Sequence, residues 1–151
     1  MKKVLVAALA LVAIGIAVPM ALGAPAPKAT GGVDWTAPGG SLTGHTSFTA
    51  QGTPLAATGQ VQYQDSLGTQ FHGVVDCFNE TASNEAVFSG TITNGNATDT
   101  YFLADVIDNG TPGTAGPDQI GVQTSASPFD CGGHRHHIHI WDVTNGNLDV
   151  H

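Results

Sequence analysis

Histidines are concentrated in one stretch of this 151-residue chain, and their spacing there suits a transition metal. Five of the seven histidines lie in the stretch CGGHRHHIHIWDVTNGNLDVH, residues 131–151. Imidazole nitrogen is a common protein ligand of Zn²⁺ and Cu²⁺. Residues two apart on a β-strand point to the same side, so a strand would present His137 and His139 together.

The Asn145-Gly146 dipeptide predicts a β-hairpin that brings further ligands to this pair. A three-residue loop ending at Gly146 separates apolar from polar residues, whereas a two-residue loop mixes them on both faces. The apolar face then consists of Ile138, Ile140, Leu148 and Val150. The polar face is the predicted metal site, with Zn or Cu as the candidate ion and no other cofactor required: His137, His139, His151 and Asp149. The alternative is a solvent-exposed polar face that holds no defined ion.

Two other places in the sequence carry residues able to do chemistry. The loop DNGTPGTAGPD runs from Asp108 to Asp118 and offers oxygen ligands of the kind Ca²⁺ prefers. Its spacing is not that of an EF-hand, and the sequence favours an Asx turn at Asp108, with Asp118 beginning the next strand. His72, in FHGVVDC, alternates with apolar residues and is expected on a solvent-facing side.

The cysteines and the first residues indicate export. Lys2 and Lys3 precede an apolar run and small residues, the pattern of a signal peptide over residues 1–23, with an uncleaved membrane anchor as the alternative. Cys77 and Cys131, the chain's two cysteines, are then predicted to form a disulfide, and a thiolate metal ligand is the alternative. The expected location is secreted or extracellular, or the periplasm if the source has an outer membrane.

Charge limits the partners of the exported part. Without Lys2 and Lys3, two basic residues stand against twelve acidic ones, a formal charge of 2 − 12 = −10. Nucleic acids and anionic membranes are therefore poor partners, so no nucleic-acid binding and no stable membrane association after cleavage are expected. The expected partner is an extracellular ligand, either a neutral polymer or a protein.

Period-two alternation of apolar and polar residues predicts an all-β domain without helix. In TGQVQYQ, Val61 and Tyr63 alternate with glutamines. Further strands are predicted near residues 33–36, 46–51, 70–77, 85–93, 100–107, 119–124, 136–142 and 147–151. Residues 24–30 predict an extended linker and residues 31–151 a single antiparallel β-sandwich or meander barrel of about eight to nine strands. The sequence does not distinguish sandwich from barrel.

Several segments together resemble a known family. ATGQVQYQD, FHGVVDC, NEAVFSGTI, DNGTPGTAGPDQI and NGNLDVH occur in this order, as in small secreted bacterial β-domain proteins of the post-COAP type. The resemblance covers roughly residues 48–151. It implies an exported β domain with no established activity, and the HRHHIHI run is not part of it.

Function remains a choice between a binding module and a metal protein. The motifs G-x-S-x-G and H-E-x-x-H and a phosphate-binding loop do not occur. The sequence favours a non-enzymatic extracellular binding or structural module, whose Gln, Thr and Asn side chains hydrogen-bond a neutral polymer while Trp35 and Trp141 offer stacking surfaces. The alternative is a Zn- or Cu-binding protein, including a metal-dependent enzyme, that uses the histidine face.

Overall fold

The computed structural model describes residues 25–110, 115–133 and 138–151, which form a closed antiparallel barrel whose eight strands follow chain order. Each strand pairs with its neighbours in sequence, and the first pairs with the last. The strands are β1 (Lys28–Thr36), β2 (Thr43–Thr53), β3 (Ala56–Asp65), β4 (Gln70–Ala82), β5 (Glu85–Gly95), β6 (Tyr101–Ile107), β7 (Gln119–Ser125) and β8 (Trp141–Val150). The predicted fold class is confirmed, as the meander barrel rather than the sandwich.

The predicted alternation sets which side chains enter the barrel. On β3, Val61 and Tyr63 are buried, whereas Gln60, Gln62 and Gln64 are exposed. A shift of one residue in the pairing would turn every apolar side chain of the strand to solvent. The hydrophobic effect therefore holds β3 in register with both β2 and β4.

Aromatic rings from five strands form a chain of contacts around the interior at one end of the barrel. The ring centroids of Trp141 and Trp35 are 4.2 Å apart, those of Trp35 and Tyr63 5.8 Å, those of Tyr63 and Phe71 5.1 Å, and those of Phe71 and Phe102 5.9 Å. Each such pair stabilises the fold by about 0.5–1.5 kcal/mol beyond its area burial. The interior at this end is filled by protein side chains.

Trp35 belongs to this core, so the prediction that it offers a stacking surface to a ligand is wrong. It is 1% exposed, and its indole Nε1 donates to Thr46 Oγ1 at 2.9 Å. Gly44 lies opposite Trp35 on β2, where a Cβ atom would stand 2.2 Å from an indole carbon. The ring fits because its strand partner has no side chain. Trp141, which stacks on it, is half-buried.

A second, smaller apolar cluster lies on the outer side of β5 and β6, beneath the connection from β7 to β8. Val87 and Leu103 alternate with interior residues and are nevertheless buried, because Phe129, Cys131 and Ile138 of this connection pack with them. The predicted disulfide is confirmed: Cys131 is bonded to Cys77 of β4, with Cα atoms 6.0 Å apart. The bond fixes the connection to the barrel wall.

The predicted linker overlaps the barrel. β1 begins at Lys28, directly after Pro27, so the last three residues assigned to the linker are strand residues. Pro27 has no backbone N–H to donate, whereas the residues after it can join the ladder. Residues 1–24, with the predicted signal peptide, lie outside the described ranges. Within those ranges no helix has the length and apolar character needed to cross a membrane.

Candidate functional site

The predicted C-terminal hairpin is wrong. β8 continues through Asn145-Gly146 without turning and pairs with β1 from Asp142, opposite Thr36, to Val150, opposite Ala29. Gly146 has a φ of 93° within the strand rather than at a loop. A hairpin would leave only residues 147–151 to pair with β1, whereas the continuous strand pairs with nearly the whole length of β1 and closes the barrel.

This path separates residues of the predicted metal site. His139 precedes β8 and His151 follows it, and ten strand residues span about 30 Å. His151 Nε2 lies 3.1 Å from Asp149 Oδ2, but both side chains are largely exposed. His137 lies outside the described residues. Among the described residues, no group of three or more His, Cys, Asp or Glu side chains is placed to hold a metal ion. Metal binding stays a prediction, without the hairpin on which it was built.

The Asx turn predicted at Asp108 is confirmed. Its Oδ1 accepts from the amide of Gly110 at 2.7 Å, and its Oδ2 accepts from the amide of Val150 at 3.2 Å. The carboxylate thus joins the loop after β6 to the end of β8. Its role in the structure is to bind backbone amides.

Asp118 makes the same kind of connection from the other end of the loop. Its Oδ1 accepts from the amide of Asn109 at 3.0 Å, and its Oδ2 from the amide of Leu148 at 3.4 Å. β7 pairs with β8 at only two positions, so the later part of β8 lacks a ladder partner on that side. Asp108 and Asp118 replace the missing β7 acceptors, which explains why two carboxylates are placed beside a strand.

The outward side of β2, β3 and the start of β4 carries uncharged hydrogen-bonding side chains. We call this surface the amide face, and with one residue of β5 it comprises His45, Ser47, Thr49, Gln51, Thr58, Gln60, Gln62, Gln64, Gln70, His72 and Asn94. None of them is Asp, Glu, Lys or Arg, although the chain has twelve acidic residues. Each amide side chain offers both donors and acceptors.

An open groove of about 230 Å³ crosses the amide face at the end of the barrel where the aromatic rings contact one another. Its lining residues are His45, Gln62, Tyr63, Gln64, Gln70, Phe71, His72, Asn94 and Gly95. Gln64 stands between His45 and Gln70 in one cross-strand row, and Gln62 stands beside His72 in the next. His72 is exposed, as predicted. The volume of the groove is below the roughly 300 Å³ at which the range of small-molecule pockets begins.

One side chain of the groove is held by a charged neighbour. His45 Nδ1 lies 2.7 Å from Asp34 Oδ1 on β1, and Asn145 Nδ2 of β8 donates to Asp34 Oδ2 at 3.0 Å. The hydrogen bonds from Asn145 and from His45 lower the pKa of Asp34. The sequence did not single out Asp34, His45 or Asn145 as site residues. Asp34 and Asn145 are 111 positions apart in the chain, and only strand pairing brings them together.

Comparison with models of protein families, with curated proteins and with solved structures yields no match. The resemblance to post-COAP domains therefore stays a prediction from short sequence segments.

Proposed function

We propose that this protein is a non-enzymatic extracellular binding module that holds an uncharged, hydroxyl-rich polymer on its amide face. The observation that carries the proposal is the groove, where amide and imidazole side chains from adjacent strands stand in cross-strand rows. Hydroxyl groups match amides because both donate and accept hydrogen bonds.

The interior of the barrel supports an external binding surface. Large side chains fill it, among them Phe48 and Phe88, whose ring centroids are 5.1 Å apart, and both are almost fully buried. A barrel of eight strands is just wide enough for its own side chains or for one small ligand. With the interior occupied by core residues, a polymer has to bind on the outside.

The charge distribution favours a neutral ligand. The chain is strongly acidic, so its net charge repels an anionic polymer. A cationic partner would find no carboxylate among the residues of the amide face. Among the described residues, the exposed large apolar side chains lie at the borders of this face: Val74 on β4, and Leu55 and Leu67 in the turns after β2 and β3. Its centre is polar, whereas the residues that dominate protein interfaces cluster near the centre of the contact. A neutral polymer fits this surface better than a protein does.

Native electrophoresis in gels containing a dissolved polysaccharide tests the proposal. Hydroxyethyl cellulose is a neutral, hydroxyl-rich probe, and carboxymethyl cellulose presents the same backbone with negative charge. We expect hydroxyethyl cellulose to retard the protein and carboxymethyl cellulose to leave its mobility unchanged. Equal mobility in the neutral probe and in a polymer-free gel would contradict the proposal.

A matched pair of variants locates the binding surface. Gln62→Ala removes an amide from the groove, whereas Gln123→Ala removes a partly exposed glutamine from β7, away from the amide face. One hydrogen bond is worth about 1 kcal/mol, so Gln62→Ala should weaken binding about fivefold. Gln123→Ala should bind as the wild type does. Similar losses in both variants would place the ligand elsewhere.

A further inference from the structure

A β-bulge in β8 aims two side chains at Asp34. Asp34 pairs with Asn145 and Trp35 pairs with Val143, which leaves Thr144 as the additional residue. Thr144 Oγ1 donates to the main-chain oxygen of Asp34 at 3.1 Å, and Asn145 Nδ2 donates to its carboxylate at 3.0 Å. Bulges commonly redirect side chains next to functional sites. Here the bulge holds both the backbone and the carboxylate of Asp34.

The carboxylate of Asp34 in turn determines which ring nitrogen of His45 carries the proton. Asp34 Oδ1 lies 2.7 Å from His45 Nδ1. An ionised carboxylate only accepts hydrogen bonds, so Nδ1 must carry the proton that is donated to it. In the neutral imidazole, Nε2 is then left with a free lone pair. The hydrogen bonds that lower the pKa of Asp34 favour its ionised form.

The ring of His45 stands between this carboxylate and the groove. Asp34 faces it from β1, and Gln64 lies opposite it on β3. Because Nδ1 is turned towards Asp34, the opposite edge of the ring is turned away from β1, and His45 lines the groove together with Gln64.

We propose that Asn145 and Asp34 are positioning residues that present Nε2 of His45 as a fixed hydrogen-bond acceptor for a ligand hydroxyl in the groove. The ligand part of this inference rests on the proposed function, whereas the state of the imidazole does not. The specificity that follows is for a free hydroxyl: a polymer whose hydroxyls are capped by methyl groups has no proton to donate to Nε2.

The first experiment measures the imidazole itself. Ring ¹⁵N NMR of histidine-labelled protein at about pH 8, where imidazoles are neutral, distinguishes a protonated from an unprotonated ring nitrogen. We expect His45 with its proton on Nδ1, whereas free imidazole side chains in water favour Nε2. Asn145→Ala should shift His45 towards the Nε2-protonated form. Asn147→Ala removes another exposed asparagine of β8 and should leave His45 unchanged. The positioning role of Asn145 and Asp34 would be overturned if His45 of the wild type were protonated on Nε2, or if Asn145→Ala left the protonated nitrogen of His45 unchanged.

The second experiment measures binding by gel retardation in hydroxyethyl cellulose and in methylcellulose, where many hydroxyls are methylated. Wild type should be retarded more strongly by hydroxyethyl cellulose, and Asn145→Ala should reduce that retardation about threefold to fivefold, as expected for a weakened hydrogen bond. Asn147→Ala should bind normally. Equal retardation by the two polymers, or normal binding by Asn145→Ala, would overturn hydroxyl recognition by His45. Absence of any retardation of the wild type would instead overturn the proposed function, and the NMR result would still decide the state of His45.

Discussion

The closure between β7 and β8 depends on a buried carboxylate, and Asp118→Ala tests that dependence. Asp118 is 5% exposed and accepts backbone hydrogen bonds from Asn109 and Leu148. Alanine cannot accept either bond. Leu148 is itself 1% exposed, so water does not readily replace the lost acceptor at its amide. The variant should therefore be less stable than the wild type.

The expected loss is about 2–4 kcal/mol in the free energy of unfolding. A buried amide left without an acceptor costs about 1–3 kcal/mol. The loss of the acceptor at the buried amide of Leu148 should account for most of this cost. The amide of Asn109 is only partly buried, so the loss of its acceptor should cost less. Asp142→Ala is the matched control, since its exposed carboxylate accepts from Gln119 Nε2 across the same two strands. Its loss should stay within about 0.5 kcal/mol.

Urea unfolding followed by tryptophan fluorescence, with the disulfide intact, measures both variants. Amide hydrogen exchange adds a local measurement, because the amide of Leu148 should exchange faster in Asp118→Ala than in Asp142→Ala. If the two variants are equally stable, the carboxylate does not replace a ladder partner for β8 and the account of barrel closure fails.

Three further outcomes follow from the structure. Burial and a neighbouring carboxylate raise the pKa of Tyr63. The folded state should therefore lose stability as the pH rises above about 10, where the phenol of the unfolded chain ionises first. In urea titrations the loss should be smaller in Tyr63→Phe, and an equal loss would contradict this. Replacing Cys77 and Cys131 together by serine should lower the free energy of unfolding by about 4 kcal/mol in urea titrations, and unchanged stability would contradict it. If calorimetry detects Zn²⁺ or Cu²⁺ binding that depends on His139, His151→Ala should leave it unchanged because β8 separates the two residues; joint dependence on both would show that they share an ion.

The local pattern of apolar residues and turn signals was sufficient to predict most of the strands, but it was insufficient to predict the last one. The first seven predicted strands correspond to β1 to β7, because runs of strand-forming residues between turn signals mark each of them, with the clearest alternation in β3. The eighth and ninth predicted strands are both replaced by β8. Asn145-Gly146 is a strong local turn signal, but the free edge of β1 decides the path of the chain there, and no local pattern records that edge.

Two cysteines in a chain that begins with the pattern of a signal peptide were enough to predict the disulfide, and alternation of apolar and polar residues was enough to predict the all-β class. Both predictions depend on composition and on neighbours along the chain. The groove on the amide face depends on register. Asp34, His45 and Asn145 lie on three different strands and meet only because β1 pairs with both β2 and β8. Burial of apolar side chains sets that register over whole strands at once, so only the tertiary structure decides which polar residues stand side by side on the outer surface.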